Sequence, residues 1–231
     1  MLLLMSGSIL SAAVITVPPG LAPGSNYRLV FVTSGSRDAT SSNILDYDQF
    51  VTDQANLNPV LAGLGTTWKV IGSTATVDAS DHLTPVGGLI YRLDGVLVAN
   101  PALYIGTLSV PINLDQFGVL TAEHVWTGSS NLNLRKTLYP LGPEVTIGTT
   151  MGRSDFSDAF WLTWAPGTQT VSNRFYGISG LLVTAEVPEP ATLTLSTAAL
   201  PGLIWCARRR RRRERLDEKS GTVGCVPCRT C

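Results

Sequence analysis

The residues best suited to binding a ligand in this sequence are two tryptophans in a short apolar run, Trp161 and Trp164. An aromatic ring offers a large flat face that can stack on a sugar ring or on a partner protein. Because side chains alternate along a strand, a strand at residues 161–164 would place the two rings on opposite or slightly twisted faces. Packing of both rings in the core is the simpler interpretation; exposure of one ring as a possible ligand surface is the alternative.

Metal chemistry has few candidate ligands in this chain. The two histidines, His82 and His124, lie far apart in the sequence. Asp78 and Asp81 next to His82 supply oxygen atoms of the kind that Ca²⁺ prefers, but the spacing of an EF-hand is missing. A solvated loop is the simpler interpretation, so we predict no metal site and no cofactor.

One pair of carboxylates, Asp155 and Asp158, has the residue types needed to hydrolyse a glycosidic bond. Their three-residue spacing in a Ser-rich segment is more simply explained by a turn or a helix cap. The sequence has no Gly-x-Ser-x-Gly motif, and no cysteine precedes Cys206, which excludes a cysteine nucleophile in residues 1–205. We predict that the body is not an enzyme, with a secreted hydrolase acting on polysaccharide as the alternative.

The formal net charge of zero conceals two oppositely charged parts of the 231-residue chain. Residues 208–231 hold nine of the 17 Lys and Arg but three of the 17 Asp and Glu, so their net charge is +6 and that of the remaining residues is −6. A mildly acidic body argues against binding of nucleic acid. All four cysteines lie at or after position 206, so no disulfide can form within the body.

Local patterns in the body predict one helix and many short strands. Residues 44–63 have helical spacing of apolar side chains, with a break predicted at Pro59. Asp94-Gly95 favours a two-residue type I′ hairpin turn. This order predicts an α+β domain dominated by antiparallel sheet. The predicted strands lie at residues 27–33, 68–73, 89–99, 104–108, 124–128, 144–149, 161–164 and 175–183.

The end of the chain combines three features in a fixed order. Residues 187–190 (VPEP) are extended, because each proline fixes its own φ and disfavours helix at the residue before it. Residues 191–207 carry no charge and are only just long enough to span a membrane, which takes about 17–25 residues. A helix followed by a solvated basic tail is the alternative. The apolar run ends at six arginines, which resist crossing a membrane: Arg208, Arg209, Arg210, Arg211, Arg212 and Arg213.

This order closely resembles the PEP-CTERM sorting signal of bacteria that make extracellular polymer. The resemblance implies that Pro188, Glu189 and Pro190 are recognised by an exosortase, a membrane-embedded cysteine transpeptidase that removes the tail. It also implies that residues 193–205 anchor the protein transiently in the inner membrane and that the arginines stop transfer. The implied destination is the cell surface or the extracellular matrix, and permanent membrane anchoring is the alternative.

The two ends of the chain carry further patterns. Residues 1–17 are apolar and uncharged, with small residues at 11–13, which is typical of a secretory signal peptide. No basic residue precedes this run, so we expect the true start to lie upstream; a buried first strand is the alternative. Residues 214–231 hold Cys225, Cys228 and Cys231 at a metal-binding spacing. Because a fourth ligand is missing, we assign this tail no function.

Five short motifs follow one another in the body: DYDQF at 46–50, LGTTWKV at 64–70, IYRLDG at 90–95, VWTGS at 125–129 and FYGI at 175–178. Their order resembles the C-type-lectin-like fold, most of all its endostatin-type branch. The resemblance implies an early helix, a strand, an aromatic-Asp-Gly hairpin, a Trp-x-Gly strand and a closing strand. The disulfides and calcium-binding motifs of that family are absent, so the implied fold does not carry calcium-dependent sugar binding with it.

These predictions together describe an exported bacterial protein with one lectin-like domain over residues 21–184 and a sorting tail. We expect the domain to act as a binding or structural module. Extracellular polysaccharide, held without calcium, is the candidate ligand.

Overall fold

A computed structural model of the protein describes residues 13–84, 87–100, 107–131, 134–143 and 148–186. These residues form strands β1–β9, helices α1–α3 and a 3-10 helix. In chain order they are β1 (Asn26–Val32), α1 (Ile44–Asn56), α2 (Pro59–Ala62), β2 (Trp68–Val70), α3 (Ala79–His82), β3 (Leu89–Arg92), β4 (Leu97–Ala99), β5 (His124–Trp126), β6 (Thr149–Arg153), the 3-10 helix (Ala159–Trp161), β7 (Ala165–Gly167), β8 (Tyr176–Ser179) and β9 (Leu182–Val183).

The larger of two sheets is organised around β1. Its strands lie in the order β2-β8-β1-β3-β4, and β9 also pairs with β1. β1 is parallel to β3, whereas the other strand pairs of this sheet are antiparallel. Strands β5, β6 and β7 form a second, antiparallel sheet. The prediction of an α+β domain with mainly antiparallel sheet is confirmed.

Strand β1 is buried along almost its whole length because both of its faces are covered. Leu29 and Phe31 belong to one buried cluster, while Val30 and Val32 belong to another, as strand alternation requires. The apolar stripe of α1 lies in the first cluster, and α3 and the 3-10 helix contribute residues to the second. The sheet therefore separates a helix-covered core from a core covered mainly by loops and short helical turns.

Residues 44–63 form a helix that breaks before Pro59, and this prediction is confirmed by α1 and α2. The Asn43 side chain caps α1 by accepting a hydrogen bond from the amide of Leu45 at 3.2 Å. Asn58 caps α2 in the same way, with the amide of Val60 at 2.9 Å. Pro59 occupies the first turn of α2, where its missing N–H leaves no helical hydrogen bond unmade.

The predicted hairpin forms, but its turn is not the expected two-residue type I′ turn. The Gly95 amide donates to the Arg92 carbonyl and the Arg92 amide donates to the Val96 carbonyl, both at 2.9 Å. Gly95 has φ +80°, whereas Asp94 lies outside the left-handed region that a type I′ turn requires at both positions. The connection is therefore a three-residue loop that ends in a glycine bulge.

The two ends of the domain pair with each other. Asn26 faces Val183 and Tyr27 faces Leu182 in antiparallel register. The Gly24 amide extends this contact by donating to the Thr184 carbonyl at 3.2 Å. The chain thus enters and leaves the larger sheet at one place.

The other predicted strands have mixed outcomes. The segments at 68–73 and 124–128 contain the shorter strands β2 and β5, and 175–183 divides into β8 and β9. The segment 104–108 lies mostly outside the described residues, as does 144–149, whose last residue begins β6. Residues 13–17, the described part of the predicted signal peptide, form no strand.

Candidate functional site

The two tryptophans predicted as a ligand surface differ completely in exposure. Trp161 is 0% exposed, its ring centroid lies 5.5 Å from that of Tyr176, and its carbonyl accepts a hydrogen bond from the Tyr176 hydroxyl at 3.1 Å. Trp164 is 43% exposed. Core packing is therefore confirmed for Trp161, which cannot contact a ligand at the surface, and is wrong for Trp164, whose ring is exposed.

The local backbone explains this difference, and it is not the predicted strand. The Asp158 carboxylate accepts a hydrogen bond from the Phe160 amide at 3.0 Å and begins the 3-10 helix. Trp161 ends that helix against Gly152 of β6, where an added Cβ would lie 1.8 Å from the Trp161 carbonyl oxygen. After the turn, the Trp164 amide donates to the Met151 carbonyl at 2.8 Å. A compact turn thus replaces the alternation of a strand, and it directs Trp161 inward.

Trp164 belongs to a group of three rings at the surface, which we call the aromatic cluster: Phe156, Phe160 and Trp164. The centroid of Trp164 lies 5.2 Å from that of Phe160, edge to face, and 5.3 Å from that of Phe156. Phe156 and Phe160 are 5.9 Å apart and nearly perpendicular. Phe160, like Trp164, is 43% exposed. Contacts of this kind orient each ring while leaving part of its surface open to solvent.

An ion pair borders the aromatic cluster. Arg153 donates two hydrogen bonds to the Asp155 carboxylate, from Nε at 2.9 Å and from Nη2 at 2.7 Å. The Arg153 guanidinium carbon lies 5.6 Å from the Phe156 centroid and 5.9 Å from the Trp164 centroid, within the range of a cation–π contact. The hydrogen bonds from Arg153 hold the pKa of Asp155 below its usual range. Charge and aromatic surface therefore lie side by side.

Phe156 and Phe160 were not among the predicted site residues, although the sequence contains a pattern that indicates them. The three rings of the aromatic cluster recur at a spacing of four residues, which is the spacing of one helical face. Asp158 lies between the first two rings with the residue type of a helix cap. The prediction of Asp158 as a cap is confirmed, and combining it with this spacing would have favoured a helical turn.

The acidic segment around His82 is also folded differently from the predicted solvated loop. Ala79–His82 form the short helix α3. His82 Nε2 lies 2.9 Å from Asp48 Oδ1 on α1, and the Asp78 carboxylate accepts a hydrogen bond from the Lys136 amide at 2.8 Å. Among the described residues, no group of three or more His, Cys, Asp and Glu side chains could hold a metal ion.

The predicted sorting residues Pro188, Glu189 and Pro190, and the arginines at 208–213, lie outside the described residues. The cysteine-containing tail at 214–231 lies outside them as well. Within the described part of the chain, no helix is long and apolar enough to cross a membrane.

The chain matches no protein-family model and no curated protein.

Proposed function

We propose that the domain binds carbohydrate without calcium and that the aromatic cluster is its binding surface. The observation that carries this proposal is the grouping of three aromatic rings beside the Arg153–Asp155 ion pair, with Phe160 and Trp164 each 43% exposed. Large aromatic side chains gain the most from burial. Three of them grouped at a surface therefore favour a site that a ligand covers.

A saccharide fits this combination of groups. The C–H faces of a sugar ring are apolar and flat, so they can pack on the open parts of Phe160 and Trp164. Its hydroxyl groups can hydrogen-bond to charged side chains, which form stronger hydrogen bonds than neutral ones do. Arg153 and Asp155 supply both a charged donor and a charged acceptor next to the rings. A purely apolar partner would leave this ion pair desolvated without new partners.

We also propose that this α+β domain has the C-type-lectin-like fold. The order of the elements supports this proposal. Helix α1 precedes β2, the β3–β4 hairpin carries Asp94-Gly95, β5 contains Trp126, and the closing strands β8 and β9 pair with β1. These are the positions at which the five sequence motifs resemble that family.

The same proposal includes export and sorting. The sequence supports it through the apolar start and the order of the Pro-Glu-Pro motif, apolar span and arginines. An exosortase would be the partner in the membrane, and the processed domain would reside at the cell surface or in the extracellular matrix. C-terminal sequencing of the secreted protein tests this part: processing near Pro190 is expected, and an intact tail through Arg213 would contradict it.

A glycan array tests the binding proposal. The purified protein is applied with calcium and with a chelator, beside Trp164→Ala and a control, Phe117→Ala, which removes an aromatic ring of similar exposure outside the aromatic cluster. We expect binding that survives chelation, is lost in Trp164→Ala and persists in Phe117→Ala. The absence of binding across the array, or equal binding by both variants, would refute the proposal.

A further inference from the structure

A polar cleft of about 210 Å³ has His124 in its wall, and His124 lies directly opposite Arg153 in the pairing of β5 with β6. Its walls come from three segments that meet here: the turn after β1, the beginning of β5, and the residues leading into β8. The polar groups that matter for its chemistry belong to Ser36, Glu123, His124, Ser172, Asn173 and Arg174.

Strand register places the polar cleft next to the aromatic cluster. His124 on β5 pairs with Arg153 on β6, and residues directly opposite each other in an antiparallel pair project from the same face. Asn173 contacts the same face, with its Nδ2 atom 3.9 Å from the sulfur of Met151, two residues before Arg153. The Arg153 guanidinium also lies over Phe156 and Trp164. Arg153 is therefore a neighbour of the aromatic cluster and of His124 in the wall of the cleft.

The polar cleft presents hydrogen-bonding groups that the protein itself does not use. Arg174 is fixed, because its Nη1 donates to the Thr33 carbonyl at 2.9 Å, which leaves its other N–H groups available. Three other side chains that line the cleft make no hydrogen bond within the described residues: those of Glu123, His124 and Ser172. A site with one fixed cation and free donors and acceptors is suited to bind a ligand that is rich in hydroxyl groups.

The charge and the volume of the polar cleft restrict the class of ligand that it can bind. The cleft combines a carboxylate with a guanidinium, and the chain before Arg208 has a net charge of −6, so a polyanion is disfavoured. The volume of about 210 Å³ is smaller than a site for a drug-sized ligand, which measures about 300–1,000 Å³. A single neutral sugar ring matches both limits.

We infer that the polar cleft is a second subsite for the saccharide that contacts the aromatic cluster, so that the protein binds a chain of neutral sugars and not a single ring. This inference rests on the proposed function. One ring of the chain packs on the aromatic cluster, the Arg153–Asp155 ion pair lies at the junction, and a neighbouring ring occupies the cleft. The affinity must then increase with chain length.

Calorimetric titration of the full-length protein with defined sugars tests the inference. The probes are ladders of one to six rings of β-1,4-linked glucose, β-1,4-linked N-acetylglucosamine and α-1,4-linked glucose. The variants are Trp164→Ala in the aromatic cluster, Glu123→Gln and Ser172→Tyr in the polar cleft, and Glu186→Gln as a control for loss of an exposed carboxylate elsewhere. Ser172→Tyr fills the cleft from an exposed position, so it changes no core contact.

We expect affinity to rise with chain length in the unchanged protein and in the Glu186→Gln control. Glu123→Gln should lower the affinity for long chains by at least about tenfold, because it weakens a hydrogen bond to a charged group. Ser172→Tyr should lower it by at least as much, because the larger side chain fills the cleft. Both variants should leave single-ring binding unchanged. If Trp164→Ala abolishes binding while both cleft variants bind long chains normally, the proposed function survives and the second subsite is refuted. If no ladder binds, both proposals are refuted for neutral sugars.

Discussion

Trp161 and Trp164 have the same side chain but opposite environments. Trp161 is enclosed by the core that contains Tyr176 and Leu162, whereas Trp164 contacts two surface rings and solvent. The indole N–H of Trp161 has no hydrogen-bond partner among the described residues. Packing therefore holds Trp161 in place, and its unpaired indole N–H lowers the stability of the fold.

Substitution of each tryptophan by alanine should separate stability from binding. Trp161→Ala is expected to lower the free energy of unfolding by about 3–5 kcal/mol, as for other large core side chains, and Trp164→Ala by about 1 kcal/mol or less. Trp161→Phe should cost less than Trp161→Ala, because it keeps a ring and removes an unpaired buried donor. Urea denaturation measures all three. Equal losses for the two alanine variants would contradict the assigned burial.

Asp94 should make the β3–β4 hairpin sensitive to acid. Burial raises the pKa of Asp94, but hydrogen bonds from Arg92 and the Val96 amide outweigh it, so the pKa lies below the ordinary value of 3.8. A carboxyl with a depressed pKa stabilises the fold above its unfolded pKa and loses this effect as the pH falls through its folded pKa.

Asp94→Asn is therefore expected to be less stable than the unchanged protein at pH 7 and equally stable in strong acid. The difference at pH 7 should be about 1 kcal/mol or less, because the pair is partly exposed to solvent. Thermal unfolding of both proteins from pH 7 to pH 2 measures it. A constant difference across this range would show that Asp94 acts through its shape and not its charge.

At the scale of elements, the contact between β6 and the 3-10 helix fixes the aromatic cluster. Gly152→Ala would place a Cβ 1.8 Å from the Trp161 carbonyl oxygen, so one element must move. We expect a loss of about 3 kcal/mol in unfolding free energy and a change in the tryptophan fluorescence of the protein. Gly87→Ala is the matched control, since its Cβ would meet Leu181 at an ordinary 3.7 Å. Normal stability of Gly152→Ala would disprove this close packing.

Helices and strands whose sequence pattern lies within one short segment could be predicted from the sequence. The apolar spacing of residues 44–63 and the position of Pro59 are contained in one segment, and α1 and α2 follow them. The parallel pairing of β1 with β3 could not be predicted in this way, because α1, α2, β2 and α3 all lie between the two strands in the sequence. Pairing between distant segments depends on how the helices pack, which no local window contains.

The candidate site could be predicted only in part, for a related reason. The sequence identified Trp164 as a residue type that binds ligands, but alternation along a strand was the wrong periodicity for residues 161–164. The polar cleft joins residues near 34, 123 and 173, so its existence depends on the register of β5 and on the bridge between Arg37 and Asn173. Neither can be deduced from the composition of those segments.

For the whole molecule, stability should not depend on redox conditions. The four cysteines occur at position 206 and beyond, so the two core clusters of the domain are held by packing and hydrogen bonds without any disulfide. We expect the thermal unfolding midpoint to be the same with and without a reductant. A lower midpoint in reductant would mean that the thiols after residue 205 stabilise the domain, contrary to this expectation.

The pairing of Asn26 with Val183 places the two ends of the domain next to each other, which makes the domain suitable for insertion into another protein. Directly opposed residues in antiparallel strands lie about 5 Å apart. A surface loop of an unrelated host protein could therefore be opened and joined to residues 24 and 185 without its own ends being forced apart. This junction would remove the contacts that Ile15 makes with Leu93 and that Leu21 makes with the core. The proposed saccharide-binding surface could then be transferred to a host protein as an internal insertion, and both termini of the host would remain free.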